Sequence, residues 1–205
     1  MSAPPLIHVV DDDDSLRTAL LRLIRAAGYE ARGYASTGDF LMCPPFDRPG
    51  CLLLDMHLPG PSGLDLQEDL QRRGVGLPVV FLTGRADVAS SVRAMKAGAS
   101  DFLTKPVESA TLLEALQRAL ARDGLQRDRR DEASRLQARF ARLTPREREV
   151  FDRVVEGRLN KQIADDLGIA ERTVKLQRAQ VMDKLGAGSA AELGRLAERL
   201  RALSG

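Results

Sequence analysis

Three acids, a hydroxyl and an amine stand at the ends of short apolar runs. Asp11 and Asp12 follow Leu6-Ile7-His8-Val9-Val10, and Asp55 follows Cys51-Leu52-Leu53-Leu54. Thr83 follows Val79-Val80-Phe81-Leu82, and Lys105 follows Phe102-Leu103-Thr104. Taken alone, a carboxylate such as Asp55 is a nucleophile, a metal ligand or a cap. Taken together, several carboxylates repel one another unless a cation neutralises them. Mg²⁺ suits such a set, because it takes hard oxygen ligands and keeps some of its waters. With its charge screened, Asp55 would accept an anionic phosphoryl group and form an aspartyl phosphate. Lys105 would neutralise one phosphoryl oxygen and Thr83 would hydrogen-bond another. Asp13 and Asp14 read more simply, as acids at a solvated helix start.

The elements that must bring these residues together follow a repeating pattern. Apolar runs at 6–10, 51–55, 77–82 and 101–104 read as strands buried on both faces, and 30–34 as a weaker edge strand. Between them, helical spacing is read from Ser15 (as cap) to Gly28, at 37–42, at 63–72 and at 86–97, with a further helix from Glu108. Five strand–helix units in succession predict an α/β domain, a flavodoxin-like five-stranded parallel sheet of order 2-1-3-4-5. Its switch point lies between the first and third strands, where Asp11, Asp12, Asp55, Thr83 and Lys105 would converge.

These pieces resemble the receiver domain of two-component response regulators. Val9-Val10-Asp11-Asp12, Leu54-Asp55-Met56-His57-Leu58-Pro59-Gly60, Leu82-Thr83-Gly84 and Asp101-Phe102-Leu103-Thr104-Lys105-Pro106 carry the match. The resemblance implies that Asp55 is the phosphoacceptor for a sensor histidine kinase. It makes Asp12 a direct Mg²⁺ ligand, Asp11 a ligand acting largely through water, and the His57 backbone carbonyl a further ligand. Phe102 would be the switch residue, following Thr83 as it moves towards the phosphate. The His57 side chain is read as facing solvent. Val9 to Ser15 also fits the D-x-D-x-[S/T] pattern of haloacid-dehalogenase phosphatases, in which Asp11 would be the nucleophile and Asp13 the acid/base. That alternative leaves Asp55 without a task and lacks a later acidic strand end.

The chain is long enough for two domains, with 43% apolar and 29% charged residues in 205. No signal peptide or membrane span is read, so a cytoplasmic protein is expected. Cys43 and Cys51 make neither a disulfide framework nor a zinc site. Net charge is −2 over residues 1–122 and +4 over 123–205, a mild hint of an anionic partner for the second half. Residues 122–132 are nearly all charged with alternating sign, which reads as a solvated helix. Ala133, Leu136, Phe140 and Leu143 form a short apolar stripe after it, read as docking on a domain or on a twin chain.

Beyond it, Thr144-Pro145-Arg146-Glu147 is a strong helix start. Asn160 is read as the cap of a second helix ending at Gly168, and a third spans Glu171–Leu185. Two helices across a tight Gly-bearing turn make a helix-turn-helix whose second helix reads DNA. Val174, Val181, Met182 and Leu185 would face inward, and Arg172, Thr173, Lys175, Gln177, Arg178 and Gln180 outward. A solvated polar face is the plain alternative. The motifs Leu143 to Val150, Asn160 to Ala164 and Glu171 to Lys175 resemble the LuxR-type DNA-binding domain of the NarL/FixJ response regulators. Ala170 replaces a frequent serine cap, losing roughly 1 kcal/mol, and Gln177 a frequent histidine. Expected DNA contacts are Lys175 and Arg178, then Arg172, Thr173, Gln177 and Lys161.

The whole is thus read as a receiver (1–122), a charged helical linker (123–142) and an all-α helix-turn-helix domain (143–205). The resemblance implies a phosphorylation-driven homodimer on an inverted-repeat promoter site in double-stranded DNA, with RNA polymerase a further candidate partner. A protein-interaction adaptor without DNA binding is the remaining alternative.

Overall fold

The computed structural model describes residues 4–44, 46–84 and 88–204. Two compact units divide at residues 127/128. The first is built on five parallel strands, β1 (Leu6–Val10), β2 (Glu30–Tyr34), β3 (Gly50–Asp55), β4 (Val79–Thr83) and β5 (Asp101–Thr104). Their order is β2-β1-β3-β4-β5, the doubly wound arrangement expected from the sequence. The connecting helices are α1 (Asp14–Ala26), α2 (Thr37–Leu41), α3 (Gly63–Arg72) and α4 (Val88–Lys96). The long α5 (Ser109–Ala141) follows β5. The expected start of the fourth helix at residue 86 lies outside the described residues.

The apolar runs are continuous because both faces of the sheet are covered. Val10, Leu52, Leu54, Val79 and Phe81 pack into one core with Leu64, Leu66 and Leu70 of α3. Ile7, Val9, Cys51, Leu53, Val80 and Leu82 pack into the other with Leu20 and Ile24 of α1 and Leu112 and Leu116 of α5. Side chains alternate across a strand, so one run feeds two cores. The register places Val10, Leu54, Phe81 and Phe102 in one row across four strands. Residues just beyond that row therefore emerge together at one rim. At Gly63 a Cβ would lie 2.5 Å from the Asp55 carbonyl oxygen, so only glycine lets α3 start so close to the strand end.

Two local readings are corrected. The cap of α1 is Asp13, not Ser15: its carboxylate accepts the N–H groups of Ser15 (2.9 Å) and Leu16 (3.0 Å). Both residue types cap well, and the observed bonds give the position to Asp13. The run 122–132 is not solvated throughout. Asp123 is buried, accepting the Gly50 N–H at 2.9 Å and the Arg127 Nε–H at 2.7 Å. Arg127 also donates to the carbonyls of Arg48 (2.6 Å) and Asp47. This part of α5 is thus held to the segment that leads into β3.

The second unit contains α6 (Pro145–Val155), α7 (Asn160–Leu167), α8 (Glu171–Leu185) and α9 (Ala190–Ser204). α6 has the expected capping box between Thr144 and Glu147. The end of α5 and the turn after it belong to this core: Phe140 packs edge-on against Phe151 at 5.3 Å, and Leu143, just beyond the helix, is buried. Phe140 and Leu143 of the apolar stripe are accounted for by that packing. Glu132 pairs with Arg199 at 2.8 Å within the same unit. Among the described residues, no helix is long and apolar enough to cross a membrane.

Candidate functional site

At the rim of the sheet, Asp11 leaves β1, Asp55 ends β3, Thr83 ends β4 and Lys105 follows β5. Lys105 Nζ lies 2.8 Å from Asp11 Oδ2 and 2.6 Å from Asp55 Oδ2, bridging the two acids. The other oxygen of each acid accepts a backbone N–H at 3.0 Å, from Asp13 for Asp11 and from His57 for Asp55. Asp11, Asp55 and Thr83 are buried, while Asp12 is exposed. Burial pulls the Lys105 pKa down, but hydrogen bonds and charge from Asp11 and Asp55 outweigh it, and the net direction is up. The ammonium therefore stays charged at neutral pH.

Asp11, Asp12 and Asp55 each offer an oxygen within 4.8 Å of the others. Three carboxylates against one ammonium leave net negative charge at the rim, the donor set of a hard divalent cation. Asp55, His57, Gly84 and Lys105 line an adjoining cleft of about 460 Å³. His57 is exposed, as expected, yet its Nδ1 lies 3.4 Å from Thr83 Oγ1, a contact no sequence signal announced. Phe102 is half-buried against the core on the α3 side of the sheet.

Asp13 does not join this set. Its carboxylate faces the start of α1, and the Leu16 N–H is the largest cause of its lowered pKa. The acid/base of the phosphatase reading is therefore a helix cap, and that reading is not favoured.

In the second unit, Gly168 ends α7 with φ +62, and Ala170 precedes α8 without a side-chain cap. Val174, Val181 and Leu185 of α8 are buried, with Met182 packed beside them. Arg172, Lys175 and Gln180 are exposed, as is Lys161 on α7. Lys175 pairs with Glu171 at 3.1 Å on the surface. The exposed set is narrower than the six outward residues expected. Thr173, Gln177 and Arg178 are half-buried, and Leu176 and Ala179 are exposed in their place. Asn160 is not the cap of α7: Leu159 occupies that position, and its N–H is taken by Gln162 Oε1 at 2.9 Å. The Asn160 Oδ1 accepts instead from Arg178 Nη1 at 3.0 Å.

Residues 7–117 match the response regulator receiver domain, and residues 141–197 match the bacterial regulatory proteins of the luxR family. The chain belongs to the two-component response regulators of the NarL/FixJ family. Nodulation protein W of Bradyrhizobium diazoefficiens is 42% identical to this response regulator over 199 residues, 97% of this chain and 88% of that protein. The transcriptional regulatory protein FixJ of Azorhizobium caulinodans is 43% identical over 192 residues, covering 93% and 90%. The structure of the response regulator StyR superposes with a TM-score of 0.87 at 44% identity, covering 96% of this chain and all of that one. A full-length FixJ structure from B. japonicum gives 0.59 at 35% identity, covering 98% and 99%. This regulator therefore controls transcription and is not a classical enzyme. Its receiver implies a histidine kinase partner, and its LuxR-type domain implies DNA binding.

Proposed function

We propose that Asp55 is the phosphoacceptor and that its phosphorylation controls dimerisation and sequence-specific DNA binding. In the transfer, an Asp55 carboxylate oxygen forms a bond to phosphorus as the phosphorus–nitrogen bond of the kinase phosphohistidine breaks. The electron pair of that bond leaves with the imidazole. Asp11, Asp12, Asp55 and the His57 carbonyl would hold Mg²⁺, which supplies charge neutralisation between the acids and the incoming phosphoryl group. Lys105, already bonded to Asp55, turns to a phosphoryl oxygen, and Thr83 bonds another. Phe102 then follows Thr83 inward, and the face made by α4, β5 and α5 repacks. Such coupling is worth about 1–3 kcal/mol, a shift of populations.

The observation that carries this reading is the bridge from Lys105 to Asp11 and Asp55 beside an open cleft. For the second unit, the exposed cations Lys175, Arg172 and Lys161, with Arg178, Thr173 and Gln177 behind them, support contact with DNA phosphates and bases. A dimer would read an inverted repeat with half-sites about one DNA turn apart, in the cytoplasm, where RNA polymerase is the next partner. Acetyl phosphate with Mg²⁺ should add one phosphoryl mass to the wild-type chain and none to Asp55→Asn. Equal labelling of both would overturn the assignment.

A further inference from the structure

The first residue of α7 is an asparagine that does no capping. Its carbonyl oxygen reaches across the helix-turn-helix to Arg178 Nη1 at 3.0 Å, with both residues half-buried. A guanidinium carries five N–H donors in a fixed plane and no acceptor, so one anchored nitrogen fixes the direction of the rest. The partner is a neutral amide, so the arginine keeps its full charge for an anionic target. Lys175 is arranged differently. Its ammonium lies against the Glu171 carboxylate on an exposed surface, so part of its charge is already met by an anion.

We infer that Asn160 is a positioning residue for DNA recognition, holding the Arg178 guanidinium ready for an acceptor oxygen of the duplex. This rests on the reading of α8 as the DNA-reading helix. The acceptor is a guanine edge or a backbone phosphate, both of which a guanidinium bonds through paired N–H groups. Holding the side chain before binding spares the ordering of a long, rotamer-rich group at the interface. Gln162 Oε1 accepts the Leu159 N–H at the start of α7, and Asn160 takes no part in that bond.

The test is a double-mutant cycle on the 205-residue chain with beryllofluoride and Mg²⁺. One probe is the duplex that the wild-type chain enriches from a randomised library, and the other is poly(dI-dC). Asn160→Ala should weaken binding to the enriched duplex by about 3- to 10-fold, with the thermal midpoint unchanged. In an Arg178→Ala background it should add nothing. A larger loss on the enriched duplex than on poly(dI-dC) for Arg178→Ala assigns the contact to a base edge, and equal losses assign it to phosphate. An Asn160→Ala effect that persists undiminished without Arg178, or no effect at all, overturns the inference. Unchanged binding by Arg178→Ala also overturns it. In that case Lys175→Ala tells the two failures apart: lost binding leaves α8 as the reader, and retained binding removes the DNA-reading role from α8 itself.

Discussion

Lys105 and Lys184 each hold buried acid, and the two arrangements end differently. Lys184 Nζ lies 2.7 Å from both oxygens of Glu147, which also accepts the Thr144 N–H at 2.8 Å and so closes the start of α6. One cation meets one anion, and the Lys184 hydrogen bond is the largest cause holding the Glu147 pKa down. Lys105 meets two carboxylates with a third nearby, at the edge of a cleft. A buried ion pair alone therefore says little about function. What marks the receiver crevice is charge left uncompensated where a ligand has access.

The broadest way to separate the two units is pH. His8 lies in the first unit, bonded to Tyr34 and packed against Phe40 and Phe46. Burial, with help from Arg32 and Arg48, lowers its pKa to about 4. An unfolded histidine titrates near 6.5, so between those values the unfolded chain binds more protons and stability is lost as the pH is lowered. The loss should reach about 3 kcal/mol by pH 4. Urea unfolding read by segment-resolved hydrogen exchange should show it in the first unit, and His8→Phe should flatten it. The Glu147 pair, with its pKa depressed, keeps its full contribution above the ordinary carboxylate range and loses it as the pH falls through that range towards the lowered value.

The next effect is a crossed pair of substitutions. Lys184→Met should lower the stability of the second unit by about 2–3 kcal/mol, less than a fully buried pair because Lys184 is 29% exposed. Lys105→Met should abolish the response to acetyl phosphate, with a smaller change in melting. If both variants merely melted early, the contrast between closed and open acid sites would fail. The smallest effect is expected at Asp123→Asn, which weakens the hold on Arg127 while keeping an acceptor for Gly50 N–H. A loss of about 1–2 kcal/mol is expected in the first unit by urea unfolding.

The legible parts were those where local pattern and tertiary role coincide. Runs such as Cys51 to Leu54 announce a strand because both faces are buried, and the acid that ends such a run must lie at a sheet rim. Asp123 and Arg127 escaped because alternating charge normally means a solvated helix. Their partners, the Gly50 N–H and the carbonyls of Asp47 and Arg48, lie more than seventy residues away in the chain. Their i,i+4 spacing was the one local signal. Asn160 looked like a cap because its type caps well. The register of α7 instead gave that position to Leu159 and freed the asparagine for Arg178.

On the proposed mechanism, charge on Asp55 governs DNA binding by the second unit. Its most direct test is the affinity of the 205-residue chain for its library-enriched duplex, with and without beryllofluoride and Mg²⁺. The wild-type chain should bind about 5- to 150-fold more tightly when activated, and Asp55→Asn should show no change. An equal gain in Asp55→Asn, or none in the wild type, would contradict the account.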